Sequence, residues 1–342
     1  MSRSQLTSTV EQNTGGAVSP YVAGKNKIIN GDFGIWQRGA SVAIAAGTRV
    51  YAPDRWWFYQ GTGTATVSQQ SPGITGVRYS ARYQRNAGQT ATATMYMQQS
   101  IETSMAIPCA GKTMTISFYA KCGANYSSGS NSLTVQIAQG TGTDESGFGG
   151  YTGNSSALST SVTLTTSFQF FTATFSLSSA ATEFQPIFLY APAGTAGAND
   201  WFEIANIQIE AGSVATPFTT ATGTLQGELA AAMRYYYRTN GASNSTTYAV
   251  GHCENTTTAI FPVALPVPMR VVPTSIDFAG LRVYSGSTVG TTGTFVLSGT
   301  YSTTTSASVV YTHGSSLFTA GYAAELDNAN TGAAYLGFGA EL

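Results

Sequence analysis

The sequence predicts an all-β protein: a jelly-roll β-sandwich followed by one helix and a second, smaller antiparallel β-domain. Three observations carry this expectation. Short runs alternate apolar and polar residues along most of the chain, the period of strands with one buried face. Gly, Ser and Asn cluster between those runs, with 38 Gly in 342 residues, as turns between strands require. One stretch alone switches to three- and four-residue steps.

The elements follow in order. Met1 to Gly24 is polar, Gly/Ser/Thr-rich and aperiodic, so residues 1–25 read as an extended arm, either unstructured or ordered against a partner subunit. Residues 26–220 read as the jelly roll, with strands expected at Thr64–Gln70, Gly76–Gln84, Thr92–Ile101, Lys112–Ala120, Ser132–Gln139, Phe168–Leu177, Phe184–Tyr190 and Trp201–Glu210. Within them Met114, Ile116 and Phe118 fall on one face and Thr115 and Ser117 on the other. Eight or more such strands suit two packed sheets better than a helical or doubly wound fold. Asp144 to Ser156 is too rich in Gly and Ser for a strand and reads as a long exposed loop, where binding residues usually sit.

Residues 221–342 hold the helix and the second domain. The helix is expected over about 224–238, from Leu225, Leu229, Ala232, Met233 and Tyr236 on one stripe, with Thr224 capping its start, Glu228 in the first turn and Gly241 closing the end. Alternation returns at Thr247–Val250, Thr258–Leu265, Thr274–Val283, Thr292–Leu297, Ser306–Tyr311 and Ala333–Leu342. Pro262, Pro266, Pro268 and Pro273 restrict 261–274 to an edge strand or an extended connection.

Composition narrows the function classes. Only 9% of residues are charged and 42% are hydrophobic, against roughly 25% charged in ordinary domains, so Ser, Thr, Asn and Gln must cover an extracellular or particle-like surface. Fifteen Lys and Arg against sixteen Asp and Glu give a net charge of −1 with no basic cluster, which disfavours nucleic acid. Met1 to Gly24 has no apolar run of signal-peptide or membrane-span length, so neither export nor membrane insertion is expected. Release of a particle from the host cytoplasm by lysis reconciles that with the surface. Cys109, Cys122 and Cys253 lack metal-ligand spacing. Cys109 and Cys122 flank one expected strand and would stand roughly 40 Å apart if extended, so no bridge between them is expected.

Three islands, Lys27-Ile28-Ile29-Asn30-Gly31-Asp32-Phe33, Ile35-Trp36-Gln37-Arg38-Gly39 and Tyr51-Ala52-Pro53-Asp54-Arg55-Trp56, resemble the opening of a recurrent phage and prophage structural-protein module. Phe202 to Gly212, FEIANIQIEAG, followed by Ala215-Thr216-Pro217-Phe218, is similar to the module's last strand and exit. Gly227-Glu228-Leu229, Met233-Arg234-Tyr235-Tyr236-Tyr237, Leu265-Pro266-Val267-Pro268-Met269-Arg270 and Gly339-Ala340-Glu341-Leu342 resemble its usual C-terminal companion. The resemblance spans residues 26–342. It implies a galactose-binding-like, carbohydrate-binding-module jelly roll in tail-fibre or other virion-surface proteins that are often trimeric. Met233 stands where many relatives have Cys, and Phe338-Gly339 where Phe-Asp is commoner.

Aromatic side chains are the candidate sugar contacts, because an aromatic face stacks on the apolar face of a sugar ring. Trp36, Trp56 and Trp201 read as core. Trp57 alternates away from Trp56 and shares a face with Tyr59, so Trp57 and Tyr59 are the candidate carbohydrate-binding pair, or a subunit contact. Asp32, Asp54 and Arg55 lie where modules of this type often hold a structural calcium. The sequence offers too few oxygen ligands for one, and a turn with a local Asp54-Arg55 charge pairing accounts for them, so no cofactor or metal is expected. Asp144-Glu145 is the only adjacent acidic pair, poorly placed for glycoside hydrolysis. His252 and His313 join no triad or metal motif, and Gly147-Phe148-Gly149-Gly150 lacks the Lys-Ser/Thr of a phosphate loop.

The expectation is therefore a non-enzymatic virion protein, a tail-fibre or receptor-binding component that adheres to host surface glycan. It would be a homotrimer joined to other virion proteins through residues 1–25. A capsid decoration or head-fibre protein, and a polysaccharide depolymerase using Asp144 or Glu145, are the alternatives.

Overall fold

The computed structural model describes residues 23–241, 246–329 and 331–342. The expected arm thus lies outside the described residues except for 23–25. Two of these are docked: Gly24 N–H donates to Ala221 O at 2.7 Å and Lys25 Nζ to Pro217 O at 3.0 Å, so the ordered module begins ahead of residue 26.

The chain forms an all-β fold of antiparallel sheets in two compact units, the first running to Leu229 with Leu342 added and the second spanning Ala230–Glu341. The division falls within the helix, where the sequence placed it ahead of the helix at 220/221. Among the described residues the first unit contains β1 (Ser41–Ile44), β2 (Arg49–Tyr51), β3 (Trp57–Gln60), β4 (Ala65–Gln70), β5 (Ser80–Arg85), β6 (Met95–Gln98), the one-turn α1 (Thr103–Ala106), β7 (Thr113–Cys122), β8 (Ser132–Gly140), β9 (Ser155–Thr163), β10 (Gln169–Ser176), β11 (Glu183–Tyr190) and β12 (Trp201–Ala211). They make two six-stranded sheets, ordered β1-β4-β5-β12-β7-β10 and β2-β3-β6-β11-β8-β9.

The inward faces of the two sheets share one apolar core. Met114, Ile116 and Phe118 of β7 point into it, as their alternation requires, and Phe118 meets Phe188 across the sandwich at 5.1 Å. Phe58 meets Tyr83 at 5.0 Å in the same way. Such edge-on aromatic pairs lock the two sheets in register beyond simple burial. Cys109, Cys122 and Cys253 are buried and free.

The opening motif is a polar hub under this core. Asn30 sits at φ 57°, donates from its amide to Ile35 O and Asp54 O, accepts from Ile35 N–H, and gives its backbone N–H to Glu228 Oε1 at 2.6 Å. Its carbonyl accepts the Trp56 indole N–H at 3.1 Å. Beside it, a Cβ on Gly31 would stand 2.2 Å from Ile207 O, so only glycine lets the entry segment pair with β12. Glu228 also takes Thr222 N–H; its acid group serves the entry of the chain as well as the helix start.

The helix, α2 (Leu225–Met233), is shorter than expected. Thr224 Oγ1 caps it through Gly227 N–H at 3.0 Å, but the buried face is Glu228, Ala232 and then Tyr235, while Leu225 is exposed. Tyr236 belongs to the next strand because consecutive aromatics favour a pleated ladder. Gly241 accordingly follows that strand and closes no helix.

The second unit contains, among the described residues, β13 (Tyr236–Asn240), β14 (Thr247–Cys253), β15 (Thr258–Ala264), β16 (Ser275–Ala279), β17 (Leu281–Ser285), β18 (Thr288–Gly290), β19 (Thr294–Leu297), β20 (Ser306–Thr312), β21 (Ala323–Asn328) and β22 (Tyr335–Gly339). A three-stranded sheet, β13-β22-β16, and a seven-stranded sheet, β18-β17-β21-β14-β15-β20-β19, share its core. Thr274–Val283, expected as one strand, is split into β16 and β17 at Gly280, which has φ 61°. Pro262 lies inside the larger sheet rather than at an edge: it pairs with Ser308 of β20, while the ladder to β14 stops at Ile260. The missing N–H therefore costs no ladder bond.

Candidate functional site

The outer face of the second sheet is built by register. Two cross-strand rows run over it: Tyr51, Trp57, Gln98, Ile187 and Gln136, and beside them Arg49, Tyr59, Tyr96, Leu189 and Thr134. Trp57 and Tyr59 thus share a face, with Phe58 between them pointing into the core.

Trp57 is nevertheless only 1% exposed, against the expectation of a surface aromatic. The reason is the loop between β8 and β9, which folds back and lays Phe148 edge-on to Trp57 at 5.3 Å and to Tyr59 at 5.1 Å. The Arg49 guanidinium lies 5.2 Å over the Phe148 ring and donates to Ser146 Oγ at 2.8 Å. Phe148 itself is 47% exposed and replaces Trp57 as the accessible aromatic. Tyr59 remains half-buried.

The loop is pinned by its own polar atoms. Gly147 donates to Ser100 Oγ and accepts from Gln185 Nε2, and a Cβ there would meet Gln185 Oε1 at 2.1 Å. Asp144 Oδ1 accepts Thr103 N–H at 2.9 Å, and Thr103 Oγ1 accepts Asp144 N–H at 2.8 Å. The Glu145 carboxylate takes Thr152 N–H and hydroxyl, which hold it below the usual carboxylate range. Glu145 N–H donates to Glu183 Oε1. Burial pushes the Glu183 carboxyl up, the Glu145 hydrogen bond opposes this, and the charges of Glu145 and Asp144 add to it. The one acidic pair considered for hydrolysis is spent holding a loop.

Phe148 divides a groove. On one side a hollow of about 230 Å3 is lined by Trp57, Tyr59, Tyr96, Gln98 and Phe148. On the other, a hollow of about 230 Å3 shares Tyr96, Gln98 and Phe148 and adds the amides of Gln136, Gln185 and Asn154. No charged side chain lines either one. Two residues that line the first hollow each carry a buried polar atom, Trp57 Nε1 and Gln98 Oε1, with no hydrogen-bond partner among the described residues. An unmatched buried donor or acceptor costs about 1–3 kcal/mol, and Gln98 is only 4% exposed.

Tyr96, Gln98, Gln136 and Phe148 escaped the sequence reading. Tyr96 and Gln98 are the outward positions of an expected strand, and Phe148 is the bulky apolar residue in the loop marked as exposed. Elsewhere, Trp56 is fully buried in the core, and Trp36 donates to Phe33 O. Burial raises the Asp32 carboxyl, whose Oδ1 accepts Gly34 N–H at 3.3 Å in a local turn. Asp54 meets Arg38 and Gln37 N–H, and Arg55 donates to Ser100 O at 2.6 Å. Among the described residues no group of three or more His, Cys, Asp or Glu is arranged to hold a metal ion, and no helix is long and apolar enough to cross a membrane.

No family model matches the sequence, and no curated protein matches it. Among solved structures, a CBM4 is 21% identical, covering 54% of this chain and 98% of its own, at a TM-score of 0.32. TmCBM61, in complex with β-1,4-galactotriose, is 10% identical over 55% of this chain and 99% of its own, at a TM-score of 0.31. The enzymatically active domain of bacteriophage CBA120 tailspike protein 4 is 15% identical over 57% of this chain, with a TM-score of 0.34. This chain spans only 22% of that tailspike chain.

Proposed function

We propose that the first unit is a non-catalytic saccharide-binding module and that the groove beside Phe148 seats a neutral glycan. The carrying observation is a hollow lined by Tyr59, Tyr96 and Phe148 together with Trp57 and Gln98, whose buried Nε1 and Oε1 have no partner among the described residues and would be completed by a ligand that draws them toward the hollow. One is a donor and the other an acceptor, and a sugar hydroxyl both accepts and donates. Tyr59, Tyr96 and Phe148 supply flat apolar surface for ring faces. The uncharged lining favours a neutral sugar; Arg49, the cation beside the groove, lies over the Phe148 ring and is hydrogen-bonded to Ser146. Hydrolysis would need two carboxylates flanking the bond at roughly 5–9.5 Å, and no carboxylate lines either hollow.

The protein's setting is a phage-type virion, as a tail-fibre or receptor-binding component that adheres to host glycan and assembles as a trimer through neighbouring subunits. Supporting this are the ordered islands from Lys27 to Leu342 and the low-charge, Ser/Thr-rich composition.

Titration of the full chain with neutral β-1,4-linked trisaccharides of glucose, xylose and galactose, followed by tryptophan fluorescence, tests the module. Binding by the wild type, weakened tenfold or more in Gln98→Leu, with no release of reducing ends, is expected. Reducing-end release abolished by Asp144→Asn or Glu145→Gln would overturn the non-catalytic assignment. Antibody labelling of purified particles at the tail is expected, and labelling of the shell would move the protein to the capsid.

A further inference from the structure

We propose a second, independent seat for a neutral sugar residue on the opposite face of the same sandwich. A pocket of about 450 Å3 opens on the outer side of the first sheet, over β7, β10 and β12, walled by the exit segment 215–218. Its floor carries Tyr119 of β7 and Phe170 of β10, which are register partners with rings 5.0 Å apart at 51°. Phe170 is 51% exposed, a large apolar ring left facing solvent inside a concavity. Phe218 closes one side.

Polar groups converge on the same space. Ser117 lies two residues from Tyr119 on the same face of β7, and Asn206 projects from β12. Asn206 stands at φ 50°, where the pairing of β12 with β7 shifts register between Ala205 and Gln208. A bulge of this kind re-aims a side chain out of the regular alternation. Among the described residues the Asn206 amide and the hydroxyls of Ser117 and Tyr119 make no hydrogen bond. An amide offers a donor and an acceptor side by side, the pattern that adjacent sugar hydroxyls match.

The pocket lining has no charged side chain. Lys25, a cation that reaches the exit segment, donates to Pro217 O and pairs with Glu210 at 3.8 Å. A hydroxyl-rich, uncharged ring with one apolar face fits two aromatic rings, an amide and hydroxyls. A pure hydrocarbon would leave the polar groups unmatched, and an anion would find no countercharge. Because the two seats lie on the outward faces of different sheets, one module would hold two glycan chains, raising avidity without either site being tight.

Native mass spectrometry of the full chain with neutral β-1,4-linked galactose trisaccharide counts the seats. Two sugars bound to the wild type, one to Phe170→Ala, one to Asn206→Gly and one to Gln98→Leu are expected. Asn206→Gly removes the amide while keeping a residue that tolerates positive φ, so its loss of one sugar reports the side chain. One sugar on the wild type, lost in Gln98→Leu and kept in Phe170→Ala, would overturn the second seat and leave the groove standing. No sugar at all would overturn both. A crystal of the soaked chain showing sugar against Tyr119 and Phe170 supports the proposal. A peptide segment of this chain or of a second copy lying there overturns it.

Discussion

Trp56 and Trp57 are neighbours in sequence and both buried, yet their indole N–H groups meet opposite fates. Trp56 faces the core side and donates to the Asn30 carbonyl at 3.1 Å; Trp57 lines the groove, and its buried N–H has no partner among the described residues. Around Asn30, amide, carbonyl and backbone N–H are all matched by groups of the chain itself. Beside the groove the buried Gln98 carbonyl oxygen, like the Trp57 N–H, is left over among the described residues. Matched buried polar groups specify a fold, because each removal leaves its partners stranded. Unmatched ones weaken it; some, such as Tyr83 Oη, lie in the core, and those of Trp57 and Gln98 belong to residues that line an open hollow.

The contrast sets the order of expected effects. Asn30→Ala strands several buried groups and removes a residue suited to positive φ, so it should cost about 4 kcal/mol in denaturant unfolding. A loss below about 1 kcal/mol would erase the distinction between hub and groove. Gln98→Leu should do the reverse: stability equal or raised by about 1 kcal/mol, with trisaccharide affinity falling tenfold or more, a change of about 1.4 kcal/mol. Paired unfolding and titration curves read both. Phe148→Ala should weaken binding by about 1 kcal/mol and shift stability by less than about 0.5 kcal/mol, since the lost ring is half solvent-facing.

The smallest effect concerns pH. The Glu183 carboxyl is pushed above its ordinary 4.5 by burial, with the Glu145 and Asp144 charges adding to the rise. Below that ordinary value folded and unfolded states both hold the proton. As pH rises through the raised folded value, the folded state must ionise a buried group and stability is lost. Melting temperatures of wild type and Glu183→Gln from pH 4 to 8 should diverge in favour of the variant as pH rises. A constant gap would mean that burial of this carboxyl carries no cost.

The sequence made the first unit legible where alternation was clean. β7 and β8 announce themselves because Met114, Ile116, Phe118, Leu133, Val135 and Ile137 all face one core. β9 did not, because Ser155–Thr163 is an edge strand of Ser and Thr with its outer face in solvent. The Asn30 motif was visible as a landmark. Its role depends on Glu228, 198 residues away, and no local pattern encodes that. The same holds for the site: the outward pairing of Trp57 with Tyr59 follows from strand alternation, whereas burial of Trp57 depends on a loop delivering Phe148, 91 residues downstream. Gln98 carries no signal at all until its buried amide oxygen is found without a partner among the described residues.

The most direct test is a crystal structure of the full chain with a bound neutral trisaccharide. One sugar hydroxyl should lie roughly 3 Å from both Trp57 Nε1 and Gln98 Oε1, with a ring face against Tyr59, Tyr96 or Phe148. Sugar bound elsewhere with those two atoms still unpartnered, or a groove that excludes sugar at saturating concentration, would contradict the assignment.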